Sequence, residues 1–137
     1  MEILGYSILI IVKILFSAFN GILFAQSGSD KVFNYQSNLD YFKDHFKRSP
    51  LASSVGLLLP VIMLFETTAG LTSLAGVFLL LIHNEWGNSI AALGMCIGGL
   101  SLVSLFLGQR LAKDYTGAAV LVSYFLMTMA GLALYAF

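Results

Sequence analysis

The stretch LPVIMLFETTAGL, Leu59 to Leu71, decides the fold: an apolar run that carries a single charge, Glu66, near its middle. Read outward, its apolar character extends from about Ala52 to Ile82. About 20 such residues cross a bilayer as a helix, so this run is long enough to span with tilt or overhang. The whole chain follows suit. It is 58% hydrophobic and only 10% charged, whereas a soluble domain carries about a quarter charged residues. The class is an integral membrane protein.

The N-terminal stretch MEILGYSILIIVKILFSAFNGILFAQS opens on Glu2, and Lys13 interrupts its apolar run. A signal peptide wants a basic start and an unbroken apolar core. FAQS resembles a small-residue cleavage site, but the segment reads better as a first span that is retained. Charges divide the rest, giving spans at about residues 3–25, 52–82, 88–108 and 115–136 of a single domain, 1–137. In lipid each must be helical, because a lone strand leaves its backbone unsatisfied. The short connections HNEWGNS and GQRLAKDY make neighbours antiparallel, so the expected fold is an all-α, up-down four-helix bundle.

Gly94 and Gly98 form a GxxxG with Gly99 beside it. Such a face lets a second helix approach closely, within the bundle or between copies; it is also ordinary membrane-helix composition. Ser101 and Ser104 follow on the same helix. The polar segment between Gln26 and Pro50 contains SNLDYFKDHFKRS, read as a short helix over about 37–48 with Ser37 as N-cap and Asp40 three residues on. Leu39, Phe42 and Phe46 share one face, and Lys43, Asp44, Lys47 and Arg48 fill most of the remainder. This is an amphipathic helix for the membrane interface, the alternative being a soluble lid on the bundle end. Pro50 would then start the second span.

Lys31, Lys43, Lys47, Arg48, Arg110 and Lys113 fall on one side of these spans; His83, Glu85 and both termini fall on the other. The positive-inside rule places the basic loops in the cytoplasm and both termini outside, in a bacterial inner membrane.

Two ionisable residues reach mid-depth. Lys13 lies about 15 Å from its outer entry, and Glu66 about 21 Å from the cytoplasmic start of its helix, at helical rise. In a core about 30 Å thick these depths come close, so a Lys13–Glu66 pair is geometrically possible. Such a pair either fixes helix register or forms a proton-accepting or ligand site; the third reading is that Lys13 reaches to the interface or packs on another subunit and Glu66 is protonated. Asn20, Thr67, Thr68, Gly70, Thr72 and Ser73 supply polar or small groups that either line a narrow polar cavity or only hydrogen-bond their own helix. No residue set marks a catalytic group. One cysteine, Cys96, excludes an internal disulfide and reads as a small core residue. His45 and His83 fall on opposite sides and cannot share a haem, and no metal cluster is expected. With zero net charge, a nucleic-acid partner is not expected.

Three stretches carry a family resemblance: FAQSGSDK, with Gly28 and Lys31; LLPVIMLFETTAGLTSLAG, an acidic residue followed by spaced glycines; and GQRLAKDYTGAAVLVSYF, an Arg–Asp–Tyr turn leading into a last helix. In order and spacing, over nearly the whole chain, they resemble the DoxX-like family of small four-helix membrane proteins. The resemblance implies a small membrane subunit associated with a quinone-linked redox complex, with no covalent cofactor and a quinone or lipid as ligand. It points to Gly28, Lys31, Glu66, Arg110 and Asp114 as the positions to test. The alternative is a purely structural subunit of a larger complex, with membrane lipids and other subunits or copies as partners; a small proton-coupled transporter ranks third.

Overall fold

The computed structural model describes the whole chain, Met1–Phe137, and it is almost entirely helical. The elements are α1 (Ile8–Phe33), α2 (Tyr35–His45), α3 (Val55–Leu81), α4 (Gly87–Leu111) and α5 (Tyr115–Ala133), with short 3-10 turns at Ala52–Ser54 and Leu134–Ala136. Four of these helical segments, Ile8–Phe33, Ala52–Leu81, Gly87–Leu111 and Tyr115–Ala136, are long and apolar enough to cross a membrane.

Several boundaries differ from the expected ones. The chain opens on a small hairpin, β1 (Glu2–Ile3) with β2 (Tyr6–Ser7). Leu4 and Gly5 form its turn with φ of +52° and +82°, so no helix can start at Ile3. Helix α1 begins instead after Ser7, whose Oγ accepts the Ile10 N–H at 3.3 Å. At its other end α1 runs about two turns beyond residue 25, because Gly28 and Lys31 are buried against α3. Asn34 alone then separates α1 from α2. The cap expected at Ser37 is not formed: Ser37 lies inside α2. The kink is braced from Asp30, whose carboxylate accepts Asn34 Nδ2 at 2.9 Å and Asn38 Nδ2 at 3.1 Å. Pro50 precedes α3 by several residues, and the proline inside α3 is Pro60.

Helix α1 packs on α3, α3 on α4 and α4 on α5. Side chains at Gly28, Gly70 and Gly21 would meet Thr67, Ala25 and Leu74 respectively. These opposed pairs advance along α1 as they retreat along α3, so the two helices are antiparallel in a fixed register. The same holds between α3 and α4, where Gly76 faces Ala91 and Gly94 faces Ser73.

Burial is inverted relative to a soluble protein. Lys13, Ser17, Asn20, Lys31, Glu66, Ser73, Ser101 and Thr128 are buried, while Leu15, Ile22, Leu71, Phe78, Leu107 and Leu126 are exposed. Exposed apolar surface on this scale is costly in water and free in hydrocarbon. The small interior core is Phe24, Ala69 and Leu102. Cys96, expected in the core, is exposed.

Candidate functional site

The Lys13–Glu66 pair is not formed. Carrying the α1–α3 register outward from Gly28–Thr67 and Gly21–Leu74 puts Lys13 level with Ile82, at the far end of α3. Glu66 is sixteen residues from that level, about 24 Å along the helix. Lys13 Nζ instead donates to Asn88 Oδ1 at 3.0 Å in the first turn of α4 and lies 5.1 Å from the centre of the Tyr135 ring. The Tyr135 hydroxyl in turn bonds Ser17 Oγ at 2.6 Å. Lys13 is buried, so its ammonium is held among these side chains and not carried out to solvent.

The partner of Glu66 is Lys31, with Nζ 2.7 Å from Oε2. Ser27, one turn before Lys31 on the same face of α1, joins the two. Its hydroxyl donates to Glu66 Oε1 at 3.1 Å and accepts from Lys31 Nζ at 3.1 Å. Glu66 is only 2% exposed and Lys31 7%, so both charges have left solvent. That desolvation is offset by the ion contact, by the Ser27 hydroxyl, and by the position of Lys31 in the last turn of α1, where the helix dipole favours a cation. Satisfaction is incomplete. Glu66 Oε2 has the ammonium contact but no directed hydrogen bond, and Thr67 Oγ1, in the same turn of α3, is buried without a partner. The site is thus a row of ammonium, hydroxyl and carboxylate with spare donor and acceptor capacity, chemistry that can hold or relay a proton.

The remaining singled-out residues separate into three groups. Asn20 joins all four long helices: its amide donates to Ser73 Oγ at 2.8 Å and to the Gly94 carbonyl at 3.4 Å, and its Oδ1 accepts from Thr128 Oγ1 at 3.2 Å. Thr67 packs against Gly28, and the Thr72 hydroxyl bonds its own helix at the Thr68 carbonyl. Gly94 meets Ser73, Gly98 meets Asn20 and Phe24, and Gly99 meets Met129. All three glycines therefore serve contacts within the chain.

Arg110 and Asp114 do not pair. Lys113 between them has φ +59°, which ends the helix and removes the i,i+4 relation. Arg110 lies over the Tyr115 ring at 4.5 Å, and Asp114 caps α5 by accepting the Gly117 N–H at 2.9 Å. Asp114 is also 3.6 Å from His45 Nε2, which contacts Gln109 Oε1 at 2.7 Å. His45 thereby ties α2 to the α4–α5 turn, while His83 stacks on Tyr6 at the opposite end.

The end of the bundle that carries α2 also holds a cavity. It measures about 280 Å³ and lies where α2 crosses α3 and α4, roofed by Phe42 and Phe46 and walled by Leu58, Ile62, Phe65 and Leu105 among others. Val55, Leu59 and Ile62 line it, and Glu66 follows one turn further on that same stripe of α3. The available signal was the Leu39–Phe42–Phe46 face of α2, which asks for an apolar partner.

No family model, curated protein or solved structure matches this chain, so the reading of the site rests on its own chemistry.

Proposed function

We propose that this chain is a small membrane subunit of a quinone-linked redox complex, with the buried Lys31–Ser27–Glu66 row as its proton-handling site. The observation that carries the reading is a carboxylate removed from water inside an apolar helix, with an ammonium and a hydroxyl held against it. Quinone reduction consumes protons, and a row of ammonium, hydroxyl and carboxylate in hydrogen-bond contact is the kind of arrangement along which a proton can be passed. In this reading α1, α3, α4 and α5 form an up-down bundle across the inner membrane and α2 lies in the interface. The cytoplasmic face carries α2 and the α4–α5 turn, with Lys43, Lys47, Arg48, Arg110 and Lys113. The outer face carries both termini, His83 and Glu85. DoxX-like membership, inferred on the three sequence stretches, is part of the same proposal.

The test is purification in mild detergent followed by lipid extraction and mass spectrometry. A co-purifying quinone that is depleted in Glu66→Gln is the expected result. No quinone in the wild type, together with full activity in vivo of Glu66→Gln, overturns the reading.

A second reading is a purely structural subunit, favoured by the way the Lys31–Glu66 contact and the Asn20 hub lock helices together. It expects migration within a large assembly on native gels that persists in Glu66→Gln. A lone small species in gently solubilised membranes counts against it.

A further inference from the structure

The cavity roofed by α2 and the basic residues that adjoin its lining in the sequence have no part in the proton-handling reading. We propose that together they bind one anionic phospholipid, with an acyl chain in the cavity and the phosphate held at the rim.

The shape argues for a chain. Twelve of the fifteen lining residues are hydrophobic, which excludes water as a stable occupant. A flexible hydrocarbon chain can enter this apolar space along its length and continue out over the helices, and a lipid also brings a phosphate to the cations that adjoin the lining. The two phenylalanines of the roof are held in place from outside. His45, on the same helix, contacts Gln109 and Asp114, and Gln109 itself lines the cavity.

The charge that adjoins the lining in the sequence selects the head group. Arg48 follows Phe46 by two residues, and Arg110 follows Gln109 directly. Neither has a carboxylate within ion-pair distance, since the ion pairs of the chain are Lys31–Glu66, His45–Asp114 and Lys47–Asp44. Over α2, the α2–α3 connection and the α4–α5 turn, five cations (Lys43, Lys47, Arg48, Arg110, Lys113) face three carboxylates (Asp40, Asp44, Asp114). A zwitterionic head group leaves that excess uncompensated, and a neutral quinone ring does not use it. A phosphodiester with net negative charge matches it.

Two variants separate chain from head group. A Cβ at Gly108 would stand 3.5 Å from Phe46 Cζ, ordinary contact distance, and Gly108 lines the cavity, so the added carbons of Gly108→Leu compete for that space. Arg48→Gln with Arg110→Gln acts only on exposed side chains and leaves the interior untouched. The experiment reconstitutes each protein in vesicles of equal phosphatidylglycerol and phosphatidylcholine and weighs retained lipid by native mass spectrometry. The wild type is expected to keep one phosphatidylglycerol at least fivefold over phosphatidylcholine. Gly108→Leu is expected to keep neither, and the double arginine variant to keep one lipid of either kind. Equal retention by the wild type, undiminished retention by Gly108→Leu, or an undiminished fivefold preference in the arginine variant would overturn the proposal. So would retention of a quinone in the cavity in place of the phospholipid. Glu66→Gln is expected to leave phosphatidylglycerol retention unchanged, which keeps this outcome separate from that of the proton-handling site.

Discussion

At the scale of single residues the interior depends on a few polar groups that cannot be removed singly. Lys31 shows why. Truncating it to an apolar side chain leaves Glu66 and Ser27 facing each other in a dry seam with no cation. Breaking one side of a buried pair costs about 3–5 kcal/mol, while replacing both sides with apolar groups of similar size is often near neutral. Lys31→Met is therefore expected to be strongly destabilised, and Lys31→Met with Glu66→Leu to recover most of the loss. Thermal unfolding in detergent reads both, and a double variant no more stable than the single one would refute the account. Asn20 is a contrasting case. Its three hydrogen bonds reach three other helices, yet each interhelical bond in a membrane contributes only about 0.6 kcal/mol on average. Asn20 therefore sets geometry more than it sets stability.

At the scale of elements, the ends of α3 and α4 are built alike. His83 and Lys113 adopt left-handed φ of +53° and +59°. The N–H of each and that of the residue after it turn back to helix carbonyls: His83 to Leu80 and Asn84 to Leu79, Lys113 to Arg110 and Asp114 to Gln109. This is the Schellman arrangement, in which glycine is the favoured residue. A left-handed residue with a side chain costs about 1–2 kcal/mol, and glycine gives back about 0.5–1 kcal/mol in extra chain entropy. Lys113→Gly should therefore raise stability by about 0.5–1 kcal/mol. Lys113 is the cleaner position, because His83 also stacks on Tyr6. A midpoint that falls in thermal unfolding would show that the lysine side chain makes a contact worth more than the backbone strain. The same turn explains why Arg110 and Asp114 separate: four residues apart they are neighbours only if the helix continues between them, and it does not.

At the scale of the whole molecule, the sequence made legible what depends on composition and missed what depends on register. Apolar length marks four helices, and the lone charge in LPVIMLFETTAGL marks Glu66 as a buried site. Its partner is a matter of register. Depth counted from assumed entry points assigns Lys13, but the seam is aligned by Gly21, Gly28 and Gly70, whose role appears only once each faces its neighbour on the other helix. Lys31 was within reach of the sequence, since Ser27 and Lys31 stand one helical turn apart; counting α1 as ended near residue 25 hides it. The cavity was less legible still, because it forms among three elements that share no local pattern. The proposed orientation has a consequence that reaches across the molecule. The Tyr6–His83 stack and the Tyr6 hydroxyl bond to the Leu81 carbonyl hold the N-terminal hairpin at the α3 exit, and Tyr135 meets Lys13 at that same end. The His45–Gln109 contact marks the opposite end. In a Cys96→Ala background, Asn84→Cys should react with a membrane-impermeant thiol reagent added to intact spheroplasts, and Lys47→Cys only after the membrane is opened. Both positions are exposed on the chain, so access is decided by the bilayer alone. The reverse labelling pattern would invert the proteins's placement and with it the assignment of the basic loops to the cytoplasm; labelling of both in intact spheroplasts would show that the two ends are not separated by a membrane.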